Sequence, residues 1–211
     1  MTPTRRTALT ALAGSALLLT GCGSPHHRGR AARPDPAAPA GDLTVMIIRH
    51  GEKPADGTPG RDDDGRPDNS SLTARGWQRA DALPRLFTPQ PAPGLRTPTT
   101  VYAATDTGPH AGAHRMRQTV TPLAKQLGLT LDLDYAETRE AALAASVTTR
   151  PGPVLICWEH SRIPAITKAL APTAGAPTTW PDRFDLVWIL TRTNGTWSFH
   201  QTDQHLLPGD A

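Results

Sequence analysis

Two short apolar runs in the 211-residue sequence each lead into a histidine set among charged residues. Residues 43–48, Leu-Thr-Val-Met-Ile-Ile, run into Arg49-His50-Gly51-Glu52, and residues 153–158 run into Glu159-His160-Ser161-Arg162. A neutral imidazole attacks phosphorus when one ring nitrogen is unprotonated and the other donates to a fixed acceptor. The attack is easier once the phosphate charge is neutralised, and arginine does this best because its planar fork meets two phosphate oxygens at once. Arg49 supplies one fork beside His50, and Gly51 lets the backbone approach closely. Arg115 offers a second fork where a helical stretch begins, and the amides of that helix start also favour an anion. The chemistry that these residue types allow is phosphoryl transfer through histidine.

Such groups need strands to carry them, because in open α/β sheets ligands bind beyond the carboxyl ends of the strands. Residues 43–48 have the pattern of a strand buried on both faces. Thr73 caps an expected helix running to about residue 87, with Trp77, Ala80, Leu83 and Leu86 or Phe87 on one stripe and Pro84 kinking or ending it. Residues 99–103 read as a second strand, and residues 114–127 as a helix with Met116, Val120, Leu123 and Leu127 at helical spacing. A third strand near 129–133, a helix from 137 to 147, a buried strand over 153–158 and a helix over 161–170 follow, Pro164 being tolerated in a first turn. Strands over 184–191 and 196–201 flank Asn194-Gly195, a strong hairpin signal. The expected fold class is α/β, a three-layer sandwich with a mostly parallel central sheet flanked by helices, right-handed crossovers and a C-terminal β-hairpin.

On these residues the chain resembles the histidine phosphatase superfamily, also called phosphoglycerate mutase-like. Ile48-Arg49-His50-Gly51-Glu52 carries the likeness, together with residues 72–80, Leu-Thr-Ala-Arg-Gly-Trp-Gln-Arg-Ala, which resemble the family's Leu-Thr-x-x-Gly-x-x-Gln-Ala segment. Arg115-Met116-Arg117-Gln118-Thr119 is similar to its Arg-x-x-x-Thr segment, and the aliphatic strand ending at His160 completes the set in the family's order over residues 43 to about 170. The resemblance implies His50 as the nucleophile that becomes phosphohistidine, with Gly51, Arg49, Arg115 and His160 lining the phosphate site. It implies no metal and no nucleotide cofactor.

The proton donor departs from the family. One branch has Asp directly after the second histidine, where this chain has Ser161. The other has a Glu after the Arg-x-x-x-Thr helix, where Glu137 and Glu140 both stand. Glu137 is favoured because it follows the expected third strand directly. Glu159 and the run Asp62-Asp63-Asp64 are rivals, although acidic loops are usually only solvated. The mutase-type asparagine is replaced by Lys53-Pro54, which disfavours a phosphoglycerate mutase. Arg117 competes with Arg115 for the phosphate. His110, His114 and Arg162 are expected in solvent, Trp158, Trp188 and Leu190 in the core, and Cys157 as an inert thiol.

The expected function is hydrolysis of a phosphomonoester, borne by a small molecule or a peptide. The alternative is a lipoprotein that binds a phosphorylated ligand with little or no turnover. Loops 53–71 and 105–113 carry no readable specificity code.

Composition fits one exported domain. With 37% hydrophobic and 19% charged residues and only 2 cysteines, a disulfide scaffold and a multi-pass membrane protein are excluded. The net charge of +3 is too small a surplus for a nucleic-acid surface. Five of the 22 basic residues, Arg5, Arg6, Arg28, Arg30 and Arg33, fall in an acid-free N-terminus, so the rest is slightly acidic. Arg5-Arg6 followed by the uncharged residues 8–19 reads as a signal peptide over residues 1–21. Leu19-Thr20-Gly21-Cys22 resembles the bacterial lipobox, which implies lipidation at Cys22 and anchoring outside the cytoplasm; Thr4–Leu9 also looks like a twin-arginine signal. Residues 22–41, rich in Pro, Ala, Arg and Gly with a solvated His26-His27 pair, form a disordered tether, and residues 42–211 form the domain.

Overall fold

The computed structural model describes residues 41–211, Asp56 apart, so the expected signal peptide, Cys22 and all of the tether but Gly41 lie outside the described residues. Five strands form one sheet: β1 (Leu43–Arg49), β2 (Thr100–Ala103), β3 (Val154–Trp158), β4 (Leu186–Thr193) and β5 (Thr196–Asp203). Their order is β2-β3-β1-β4-β5. The pairs β2/β3 and β3/β1 are parallel while β1/β4 and β4/β5 are antiparallel, so every strand but β4 runs in one direction. Among the described residues four α-helices cover the sheet: α1 (Ala74–Ala82), α2 (Arg115–Leu127), α3 (Glu140–Val147) and α4 (Ile163–Leu170). The helices pair α1 with α2 and α3 with α4. The α/β three-layer sandwich expected from the sequence is the fold observed.

Local chemistry sets the element ends. The Thr73 hydroxyl accepts the Gly76 amide and caps α1. Pro84 ends the regular helix, which tightens into a 3₁₀ turn over Leu83–Leu86. Gly128, at φ 67°, closes α2. Asn194 and Gly195, at φ 49° and 79°, both occupy the positive-φ region that a two-residue hairpin of this type requires.

Two expectations are corrected. Residues 129–133 form no strand; Asp132 makes a single parallel bridge to Tyr102 at the sheet edge. The Asp132 side chain then accepts the Asp134 amide, which interrupts the ladder until the Tyr135 carbonyl accepts the Thr105 amide. Helix α3 starts at Glu140 and not at 137, because Thr138 sits at φ 84° and cannot join a right-handed helix.

The loop after β1 is clamped to α1 and α2. The Gly51 amide donates to Thr119 Oγ1 at 2.8 Å, and that hydroxyl donates back to the Arg115 carbonyl at 2.7 Å. A Cβ on Gly76 would stand 2.6 Å from the Glu52 carbonyl oxygen, so only glycine lets α1 lie this close to the loop. Buried Arg79 donates to Glu52 Oε1 at 2.7 Å, to Asp210 Oδ1 at 2.8 Å and to Gln204 Oε1 at 3.2 Å. Half-exposed Arg75 also donates to Glu52 Oε1 at 3.1 Å and Asp210 Oδ1 at 3.3 Å, so both carboxylates keep one counter-charge when Arg79 is removed. Arg79→Met is therefore expected to cost about 1–3 kcal/mol in urea denaturation, less than a buried charge left with no partner; a cost below about 0.5 kcal/mol would mean that the network adds no net stability.

Candidate active site

Strand register brings the two histidine loops together. Arg49 pairs with Trp158 across the parallel β1/β3 ladder, and the His50 amide continues it by donating to the Trp158 carbonyl at 3.2 Å. His50 therefore leaves the sheet at the level of Glu159 and His160. Ligand-type atoms of these three side chains lie within 4.8 Å of one another.

His50 is 1% exposed, and its Nδ1 lies 2.7 Å from the Gly51 carbonyl oxygen. A carbonyl can only accept, so Nδ1 carries the proton and Nε2 keeps its lone pair. Nε2 is buried without a hydrogen-bond partner. Burial, helped by the charges of Arg115 and Arg49, pushes the imidazole pKa down to about 3. The ring is neutral at physiological pH, in the tautomer a nucleophile needs.

Arg49 is 2% exposed and stacks on Phe184, its guanidinium carbon 3.8 Å from the ring centroid. Its Nη1 donates to Asp182 at 3.2 Å and to the Arg183 carbonyl at 3.4 Å, while Nε has no partner. Arg115 donates from Nη1 to the Asn69 carbonyl at 3.0 Å, and its Nε is likewise buried without a partner. Its charge acts on His50, Glu137 and Glu159. Arg117 points elsewhere, into Asp106 at 2.5 Å and Asp63 at 2.6 Å, and is not a phosphate fork here. The structure thus sets Arg49, His50 and His160 together at the ends of β1 and β3, with the charge of Arg115 reaching both His50 and Glu137. The two unpartnered guanidinium N–H groups, Arg49 Nε and Arg115 Nε, suit an oxyanion. The His50, Glu159 and His160 grouping has metal-ligand types, but the two guanidiniums beside it oppose a dication.

The candidate acids separate cleanly. Glu137 has its pKa raised, first by burial and then by the nearby Glu159 charge, against the opposing pull of Arg115. Glu159 has its pKa lowered: burial alone would raise it, but Ser161, which donates both its hydroxyl and its amide to Oε2, and His160 outweigh that. His160 Nδ1 lies 2.5 Å from Glu159 Oε1. Two carboxylates pushed apart in this way divide into a proton carrier and a fixed charge. The remaining rivals are engaged elsewhere. Glu140 Oε1 accepts from the Thr138 amide and the Trp158 indole. Asp63 and Asp64 pair with Arg117 and Arg66, and Asp62 caps a turn through the Asp64 and Arg66 amides.

Several other residues fall as expected: Trp158, Trp188 and Cys157 are core, and burial raises the Cys157 thiol. His114 is the exception, since its Nδ1 lies 2.9 Å from buried Asp106. Sequence reasoning missed Phe184, which it placed in a strand; it lies before β4 and its ring centroid is 6.1 Å from that of His50. A lone aromatic in a Pro- and Asp-rich loop gives no signal of that role. Both loops without a specificity code border clefts, one of about 310 Å³ between Thr105, His110, Tyr135 and Arg139 and one of about 460 Å³ between Pro54, Thr58 and Asn69.

The sequence matches no family model and none of the curated protein sequences. Solved structures do resemble it. One is the protein histidine phosphatase SixA complexed with tungstate, 17% identical over 76% of this chain and 97% of that one, with a TM-score of 0.51. Another is a mycobacterial hydrolase, 14% identical over 75% of this chain and 97% of that one, with a TM-score of 0.50. At such identity the likeness is one of fold, and the fold is that of the histidine phosphatases.

A methyl group on Gly112 would come within 2.7 Å of Glu137 Oε1 and displace only that flexible carboxylate. Gly112→Ala is expected to change stability by no more than about 0.5 kcal/mol. If Glu137 serves as an acid toward a bound phosphoester, the same change slows hydrolysis of an aryl phosphate on the order of tenfold, since small misplacements of a reacting group are costly. Unchanged turnover would remove Glu137 from the chemistry.

Proposed function

We propose that this chain is a phosphatase of the histidine phosphatase superfamily, hydrolysing a phosphomonoester through a phosphohistidine on His50. The observation that carries the reading is the unpartnered, unprotonated Nε2 of a buried neutral imidazole, set beside two guanidiniums with spare donors. In the first step Nε2 bonds to phosphorus and the ester P–O bond breaks, while Arg49 and Arg115 neutralise the charge on the transferring group and Glu137 gives its proton to the leaving oxygen. In the second, water attacks phosphorus, its proton goes to the Glu137 carboxylate, the N–P bond breaks and inorganic phosphate departs. His50 returns neutral and Glu137 protonated. His160, its ring beside Glu159, lines the same phosphate site.

The pH dependence follows from the two shifts. A general acid works only while protonated, so turnover falls as pH rises through the pKa of Glu137, which is elevated above the ordinary carboxyl value. The nucleophile must be unprotonated, and His50 remains so down to about pH 3. Activity is thus expected to persist on the acid side and to decline as pH rises through the elevated pKa of Glu137.

Glu137→Gln should remove the basic limb and lower the maximal rate on the order of a hundredfold. His50→Ala should abolish both turnover and the acid-labile phosphoenzyme trapped by rapid quench. Binding of vanadate to wild-type protein without any turnover would instead favour a phosphate-binding protein, a reading to which Ser161 in the place of an acid lends weight.

Export and anchoring belong to the same proposal. The charge-free stretch after Arg5-Arg6 and the Leu-Thr-Gly-Cys sequence at 19–22 support a lipoprotein held outside the cytoplasm by a lipid on Cys22, with a phosphorylated small molecule or peptide as substrate. Incorporation of a labelled fatty acid, lost in Cys22→Ala together with membrane association, is the expected outcome in bacterial cells.

A further inference from the structure

The segment that carries Glu137 is held in a backbone conformation its sequence resists. Thr138 has a φ of 84°, and a β-branched residue pays for the left-handed region unless its surroundings impose it. The Thr138 amide donates to Glu140 Oε1 at 2.9 Å. The same oxygen accepts the Trp158 indole N–H at 3.3 Å. Glu140 is 7% exposed, and Trp158, the last residue of β3, directly precedes Glu159 and His160. One buried carboxylate oxygen therefore joins the segment bearing the candidate acid to the strand end bearing the second histidine.

We propose that Glu140 is a positioning residue for phosphoester hydrolysis, its Oε1 holding Thr138 in the left-handed turn that aims the Glu137 carboxyl at the leaving-group oxygen and fixing that turn against the end of β3. The inference rests on Glu137 as the proton donor. Without the acceptor at Oε1, Thr138 relaxes to negative φ and the 137–138 peptide rotates. Glu137 then swings away, while Arg49, His50 and Arg115, which sit on other elements, stay in place. The damage is confined to proton delivery.

That confinement is measurable, because a good leaving group departs without a proton and a poor one does not. The first-turnover rate of leaving-group release would be followed with 2,4-dinitrophenyl phosphate and with phenyl phosphate. In Glu140→Ala the phenyl phosphate rate is expected to fall on the order of ten- to a hundredfold, and the dinitrophenyl phosphate rate to stay near that of the unmodified protein. Glu140→Gln keeps an acceptor oxygen and should restore most of the loss. Combining Thr138→Gly with Glu140→Ala should restore part of it, since glycine takes a positive φ without strain. If Glu140→Ala does not fold, Glu140→Asp, which withdraws the oxygen by one methylene, should show the same selectivity.

An equal loss on both esters in a folded variant, or no loss on either, overturns the proposal. Glu137→Gln is the control. If it is selective and the Glu140 variants are not, only the role of Glu140 fails; if Glu137→Gln is itself unselective, the proton-donor assignment fails and the role of Glu140 with it.

Discussion

A single hydrogen bond, from His50 Nδ1 to the carbonyl of the next residue, sets the terms for the rest of the site. It places the ring proton on the side away from the cluster and leaves a lone pair where charge is to be transferred. Burial then keeps the ring from taking a second proton. The arrangement has a thermodynamic counterpart. A histidine whose pKa falls from 6.5 to about 3 on folding binds protons more readily when unfolded, so its contribution to stability is complete above pH 6.5 and is lost as pH drops through the folded value. Reactivity and acid sensitivity come from the same buried imidazole.

Around this ring the charges are ordered by the sheet. Parallel pairing of β1 with β3 delivers one histidine and its neighbouring arginine beside a second histidine and its neighbouring glutamate, with no loop of any length intervening. The two carboxylates then differ in environment. Ser161 and His160 hold Glu159 ionised, and that fixed negative charge in turn discourages ionisation of Glu137. The serine that stands where one branch of the resembling family has an acid thus acts on the proton balance indirectly, through Glu159. The guanidiniums of Arg49 and Arg115 outweigh the single fixed charge of Glu159 and leave the cluster positive toward an anion.

Much of this was legible in residue order. A strand of uninterrupted aliphatics ending in Arg49-His50 is recognisable because burial on both faces leaves no alternation, and the Thr73 and Asn194-Gly195 signals act locally, through one cap and one pair of positive φ angles. The failures share a physical cause. Residues 129–133 have strand-like alternation, yet only tertiary context shows that the Asp132 side chain captures the backbone after one bridge. The start of α3 was misplaced because nothing in Glu-Thr-Arg-Glu announces a left-handed threonine. Phe184 and the partners of Arg79 were invisible for another reason: their contacts join distant parts of the chain, and neither periodicity nor motif spacing encodes those distances.

The Arg79 network has one more consequence, for the order of events in folding. Its two carboxylates come from opposite regions of the sequence, Glu52 just after β1 and Asp210, 131 residues beyond the arginine. Contacts of such span close late, after the entropy of a long intervening loop has been overcome. The segment that fixes His50 and Gly51 against α1 thus reaches its final geometry only when the hairpin strands and the residues beyond them are in place. A partly folded chain can hold a complete β1 and still lack the assembled cluster, so closure of the loop that carries His50 reports the last stage of folding.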